Sequence, residues 1–189
     1  DADGVLQPGY MELRAMHNAA LLEALEAVPA ADAEWAEATG RAWGGLTSEY
    51  LLDDAEVVLM AAGSLVTQLT LVAEALRADG VKAGVLGIRC YRPFPVDVLR
   101  ERLAGRALAV VFDKAVSYGF QGPIAEDLKA ALYAADDAPA VFGHICGLGG
   151  RDISPDQLAE ATRTALADLA AGVRDRAPVW IGLAEGSMR

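Results

Sequence analysis

The stretch Ala55-Glu56-Val57-Val58-Leu59-Met60-Ala61-Ala62-Gly63-Ser64 decides the fold. Ala55 to Met60 is a short, nearly continuous apolar run, the pattern of a strand covered on both faces. Gly63-Ser64 supplies a turn, and Ser64 is placed to cap a helix over 65–78 that Asp79-Gly80 stops. The same unit then recurs downstream. Lys82 to Arg89 reads as a second strand, Pro93 and Pro95 break the chain, and a short helix turns Val96, Leu99 and Leu103 inward. Leu108 to Phe112 is a third strand, and the glycine-rich run Ser117 to Gly122 leads into a helix from Pro123 to Ala134. Ala140 to Ile145 is a fourth. After Cys146-Gly147-Leu148-Gly149-Gly150 comes a capping hydroxyl, a proline and a glutamine in Ser154-Pro155-Asp156-Gln157, opening a helix that runs to about Ala171. Repeated strand–helix units predict an α/β domain, with a mostly parallel sheet of about five strands and helices on both faces.

Upstream, 1–52 read as a helical linker or docking segment ahead of the α/β domain at 53–189. Leu13, Met16, Ala20, Leu21, Leu25 and Val28 recur at helical spacing, and Pro29 is expected to end that helix. A second short helix over 31–39 closes at Gly40, and Trp43 to Thr47 reads as a linker or strap. Downstream, Pro178 to Leu183 is apolar and is expected to pack on a neighbour or across the domain.

Composition narrows the possible partners. The 189 residues carry 53% hydrophobic residues at a mean hydropathy of +0.25, enough for a buried core. A formal charge of −11 argues against nucleic acid, and no apolar run is long enough to span a membrane. The first residues, Asp1-Ala2-Asp3-Gly4, lack a signal-peptide pattern and a starting Met, so the sequence reads as a fragment or a processed chain. Cys90 and Cys146 are expected to be reduced, buried thiols of a cytoplasmic protein, and two cysteines are too few for an iron–sulfur cluster. With only His17 and His144, no metal-ligand spacing stands out.

Few motifs suggest chemistry. Gly63-Ser64 at a helix start favours anions, but lacks the G-x-G-x-x-G and P-loop patterns, so a plain helix cap is the simpler reading. Gly147-Leu148-Gly149-Gly150-Arg151-Asp152 resembles a dinucleotide loop, yet the helix cap falls later, at Ser154. A tight turn fixed by Arg151 and Asp152 or by backbone bonds suits it better. Phe94, between Pro93 and Pro95, is placed to plug a core layer. Ser64, Arg89, Arg92 and Arg151 are the candidate anion or partner contacts, since open α/β sheets bind ligands beyond the carboxyl ends of their strands. His144 reads as a core histidine and His17 as a surface one, and Ser117 lacks the G-x-S-x-G elbow of a nucleophile. Asp53-Asp54 and Asp136-Asp137 read as solvated turn acids.

Taken in order, Gly63-Ser64, Ile88-Arg89-Cys90-Tyr91-Arg92-Pro93-Phe94-Pro95, the Gly119/Gly122 loop and Gly147-Leu148-Gly149-Gly150-Arg151-Asp152-Ile153 resemble the second, transketolase C-terminal-like domain of the α subunit of pyruvate:ferredoxin oxidoreductase. The leading helices and the tail Val179-Trp180-Ile181-Gly182 are similar to the same subunit. Pro93, Phe94, Pro95, Gly119, Gly122, Gly149, Gly150 and Asp152 are the structural positions of that resemblance. The Arg-Pro-Phe-Pro form leans towards pyruvate or branched-chain 2-oxoacid members. The resemblance implies an oligomeric enzyme using thiamine diphosphate, Mg²⁺ and iron–sulfur clusters, and passing electrons to ferredoxin and an acyl unit to coenzyme A. The chain itself would bind none of the cofactors and carry no catalytic residue, acting as a scaffold for other domains or subunits. The alternative is a free-standing module for an anionic ligand such as coenzyme A or a nucleotide.

Overall fold

The computed structural model describes residues 2–184 and 186–187. They form two compact units, one of the residues up to Leu46 together with Cys90–Pro95, and one of Thr47–Arg89 together with the residues from Val96 onward.

In the first unit, one helix, α1, runs from Ala2 to Thr39, about 57 Å at the usual rise per residue. The expected break at Pro29 does not occur. Proline's own φ is helical, so the chain can continue at the loss of one N–H bond. Beyond Thr39 the chain folds back, and the backbone N–H groups of Trp43, Gly44 and Gly45 converge on the Asp32 carboxylate at 2.9, 2.9 and 3.1 Å. Residues 90–95 join this unit through a Cys90 N–H to Leu46 carbonyl bond of 3.0 Å. Phe94 is not a core plug. Its ring is half-buried, edge-on to Tyr91 at 6.0 Å and 5.8 Å from the Arg92 guanidinium, while Pro93 and Pro95 are buried.

The second unit holds a six-stranded sheet in the order β1-β3-β2-β4-β5-β6. The strands are β1 (Thr47–Tyr50), β2 (Val57–Ala62), β3 (Ala83–Ile88), β4 (Leu108–Asp113), β5 (Ala140–Ile145) and β6 (Val179–Trp180). β3, β2, β4, β5 and β6 run parallel, and β1 lies antiparallel on the β3 edge. Every residue of β3, β4 and β5 is buried, as the apolar runs require of strands covered on both faces. The expected strap thus ends in a strand at Thr47. The tail packs across the domain, pairing Val179 with His144 and Trp180 with Ile145.

Helices α2 (Leu65–Ala78) and α5 (Pro155–Ala170) bury Leu69, Val72, Leu76, Leu158 and Ala165 with Leu59, Val110 and Phe142 in one core cluster. Helices α3 (Val96–Leu103) and α4 (Pro123–Leu132) cover the other face with Leu99, Leu103, Ile124 and Leu128. Helix α5 starts as the sequence predicts. Ser154 Oγ accepts from Gln157 N–H at 3.3 Å, and the Gln157 side chain accepts from Ser154 N–H at 3.0 Å. Ser64 does not cap α2. It already sits at φ −61°, ψ −24°, so its side chain makes no cap bond.

The order of the strands fixes where a ligand can meet them. The chain leaves β2 through α2 towards β3, then crosses back by α3 to β4 on the far side of β2. The connections therefore diverge between the carboxyl ends of β2 and β4, the switch point at which open α/β sheets receive ligands.

Candidate functional site along the carboxyl edge of the sheet

β4 ends in Asp113, a buried carboxylate that sequence reading missed. It accepts the Ile124 N–H at 3.0 Å and the Ala125 N–H at 3.1 Å, closing the amino end of α4. Burial pushes its pKa up to about 6 against the pull of those two donors. Gly122 makes this cap possible, because a Cβ there would lie 2.2 Å from Asp113 Oδ2. The signal in the sequence was an acid ending an apolar strand, but its partners lie eleven and twelve residues further on.

One residue further, Lys114 reaches a small cavity of about 120 Å³ whose walls include Ser64, Gln68, Cys146, Gly150, Arg151 and Asp152. The structure therefore brings Ser64, Arg151 and Asp152 together, and adds Lys114 and Gln68, which sequence reading did not single out. Arg151 does not pair with Asp152 among the described residues; its Nη1 donates to the Gly182 carbonyl and ties down the tail. Gly149 and Gly150, at φ +64° and +78°, form the expected tight turn. Arg89 lies elsewhere, in an open depression of about 390 Å³ with Ser48, Gly63, Val66 and Thr67. Arg92 belongs to the other unit, its guanidinium 4.2 Å from the Tyr91 ring. The four candidate anion contacts thus do not form one site within the second unit.

The loop carrying Gly119 presents Tyr118 and Phe120 to solvent, 95% and 63% exposed. Its Ser117 is held by backbone bonds, N–H to Gln121 carbonyl at 2.8 Å and carbonyl from Phe120 N–H at 3.0 Å. His144 is the core histidine the sequence suggests. It is buried, stacked on Phe112 at 5.1 Å, and its Nε2 lies 3.0 Å from Arg176 Nη2. Arg176 can only donate, so Nε2 accepts and the proton rests on Nδ1. Burial, reinforced by the Arg176 charge, lowers the His144 pKa to about 4, so the ring is neutral. His17 is exposed on α1, as expected.

The cysteines present do not fit an iron–sulfur cluster, one of the groups that the sequence resemblance implies. The two cysteines are free thiols, Cys146 buried and Cys90 only half-buried. Burial pushes Cys146 up to about 11, away from the thiolate that a cluster requires. Among the described residues no three His, Cys, Asp or Glu side chains gather as metal ligands. Nor is any helix of the described residues long and apolar enough to cross a membrane.

Fold and edge define the class first: an open, mostly parallel α/β domain with cations and exposed aromatics at its carboxyl edge. A family model described as pyruvate:ferredoxin oxidoreductase core domain II matches residues 55–158, more than half of the chain, and the chain belongs to that family. Two pyruvate synthase subunits PorA, from Methanosarcina barkeri and Thermotoga maritima, are each 38% identical over 152 and 154 residues. The matches cover 80% and 79% of this chain and 38% and 39% of those proteins. A ketoisovalerate oxidoreductase subunit VorA from Pyrococcus abyssi is 30% identical over 174 residues, 92% of this chain and 44% of that one. The chain therefore spans about two fifths of the length of these relatives. Among solved structures, a 2-oxoglutarate:ferredoxin oxidoreductase from Magnetococcus marinus aligns with 65% of this chain and 20% of its own, at TM-score 0.47 and 15% identity.

Proposed function

We propose that this chain is a non-catalytic assembly domain of a thiamine-diphosphate-dependent 2-oxoacid:ferredoxin oxidoreductase that converts pyruvate to an acyl-coenzyme A. Family membership supports the class of enzyme, and the names of the relatives support pyruvate as the 2-oxoacid. In this reading thiamine diphosphate, Mg²⁺ and the iron–sulfur clusters are held by other polypeptide regions, which also meet coenzyme A and ferredoxin. The complete enzyme is an oligomer of the cytoplasm.

One observation carries the assembly role. The amino half of α1 leaves Met11, Leu13 and Met16 76%, 64% and 67% exposed, with Tyr10, Leu21 and Leu22 exposed beside them. Helical stability in proteins comes mostly from packing of an apolar face, and exposed apolar surface of this extent marks an interface. In this reading the surface is covered by the other regions of the oxidoreductase.

The test is to supply the purified chain with thiamine diphosphate, Mg²⁺, pyruvate, coenzyme A and a viologen dye. No dye reduction is expected from the chain alone. Pyruvate-dependent reduction by the chain alone would overturn the non-catalytic reading.

A further inference from the structure

We propose that the crevice between the carboxyl ends of β2, β4 and β5 binds a phosphate-sized oxyanion, held by Lys114, Arg151 and the uncapped amino end of α2. The inference is independent of the assembly role and concerns only the second unit.

The cavity there, about 120 Å³, has room for one phosphate group with water beside it. Lys114 supplies an exposed ammonium that makes no hydrogen bond or ion pair among the described residues. The end of its stem passes over Gly147, where a Cβ would lie 2.9 Å from Lys114 Cε. Arg151 is the second cation in the lining, with its Nη1 directed to the Gly182 carbonyl of the tail. Asp152 is the opposing charge in the lining, leaving the lining net positive in a chain whose total is −11.

The amino end of α2 faces the same space through Ser64, Leu65 and Gln68. It has no side-chain cap and no acid in its first turn, and its Val66 N–H is taken by the Gly63 carbonyl at 3.2 Å. The remaining free N–H groups of that turn suit an anion.

A third observation is separate from the helix end. The side-chain amide of Gln68 has a terminal atom, placed as Oε1, that is buried and without a hydrogen-bond partner among the described residues. Such an atom needs a hydrogen-bond partner, either a bound water or a ligand group. Rotation of the amide by 180° puts its NH₂ there, a donor matched to an anion oxygen. Charge separates phosphate from carboxylate. Two cations and a helix end balance a tetrahedral dianion better than a planar monoanion.

The experiment is a ¹H–¹⁵N spectrum of the full 189-residue chain, titrated with inorganic phosphate at constant ionic strength, and in parallel with acetate. Amides of residues 64–68 and 147–151 should move saturably with phosphate. Lys114→Ala should weaken that response about tenfold, the effect of one charge-assisted bond, with an unchanged thermal midpoint because the side chain is exposed. Gln68→Leu should also weaken it, which tests the inward-turned amide. Absence of saturation in those segments up to ~20 mM phosphate, well above the millimolar range of a weak site, overturns the proposal. So does equal affinity in the Lys114→Ala chain. Equal saturation by acetate overturns the phosphate assignment.

Discussion

Replacing Asp113 by Asn should change how stability depends on pH, with a sign opposite to that of most carboxylates. Asp113 has its folded pKa raised from 3.8 to about 6, chiefly by burial. The folded state therefore prefers the protonated acid, and its contribution is complete below pH ~4 and lost as pH rises to ~6. About two pH units at 1.36 kcal/mol each gives ~3 kcal/mol. His144 acts the other way. Its pKa falls from 6.5 to about 4, so its contribution is complete above pH ~6.5 and lost as pH falls to ~4. Its size is also ~3 kcal/mol, so the two nearly cancel in the native chain between about pH 4 and 6.

Asp113→Asn removes only the first of these. An Asn oxygen can still accept from the Ile124 N–H, so the helix end is partly preserved. The assay is urea denaturation of both chains at pH 4, 5, 6 and 7, comparing midpoints at equal m values. The stability of the native chain minus that of the variant should fall by ~3 kcal/mol from pH 4 to 7, with most of the change between 4.5 and 6. Surface carboxylates common to both chains drop out of the difference. A flat difference, or one that rises with pH, would refute the account of a buried, proton-holding Asp113.

Other substitutions test the packing. Gly122→Ala would push a Cβ to 2.2 Å from Asp113 Oδ2, so a loss of ~1–3 kcal/mol is expected in chemical melts, and a neutral result would show that the cap can shift. Phe112→Ala, at a fully buried ring stacked on His144, should cost ~3–5 kcal/mol. The half-buried Phe94 should lose clearly less when truncated, and equal losses would contradict its placement outside the core. Ser154→Ala removes a real cap and should cost ~1 kcal/mol, whereas Ser64→Ala should leave thermal stability within ~0.5 kcal/mol.

The central strands were legible because each is an apolar run buried on both faces, and β5 lies at 140–145 as its sequence suggests. Helix α5 was legible because its start signals are local, with hydroxyl, proline and glutamine within four residues. β1 was not. Thr47-Ser48-Glu49-Tyr50 is a polar edge strand, and its pairing depends on β3, where Gly87 leaves room for Ser48. Pro29 misled because a helical φ lets α1 pass through it. At the carboxyl edge, Ser64 and Arg151 could be nominated as polar residues beside turns. Asp113 takes its significance from the start of α4, eleven residues on, and Lys114 and Gln68 take theirs from strand order, which brings loops some thirty to fifty residues apart into one crevice.

The assembly role is tested most directly by asking whether α1 is the docking surface. The chain and a Leu13→Glu/Met16→Glu version would be mixed with the other subunits of the oxidoreductase from the same source and followed by size-exclusion chromatography. The account predicts that the unaltered chain elutes with those subunits and that the double variant elutes apart, with its own melting midpoint unchanged. Co-elution of both chains, or of neither, would contradict it.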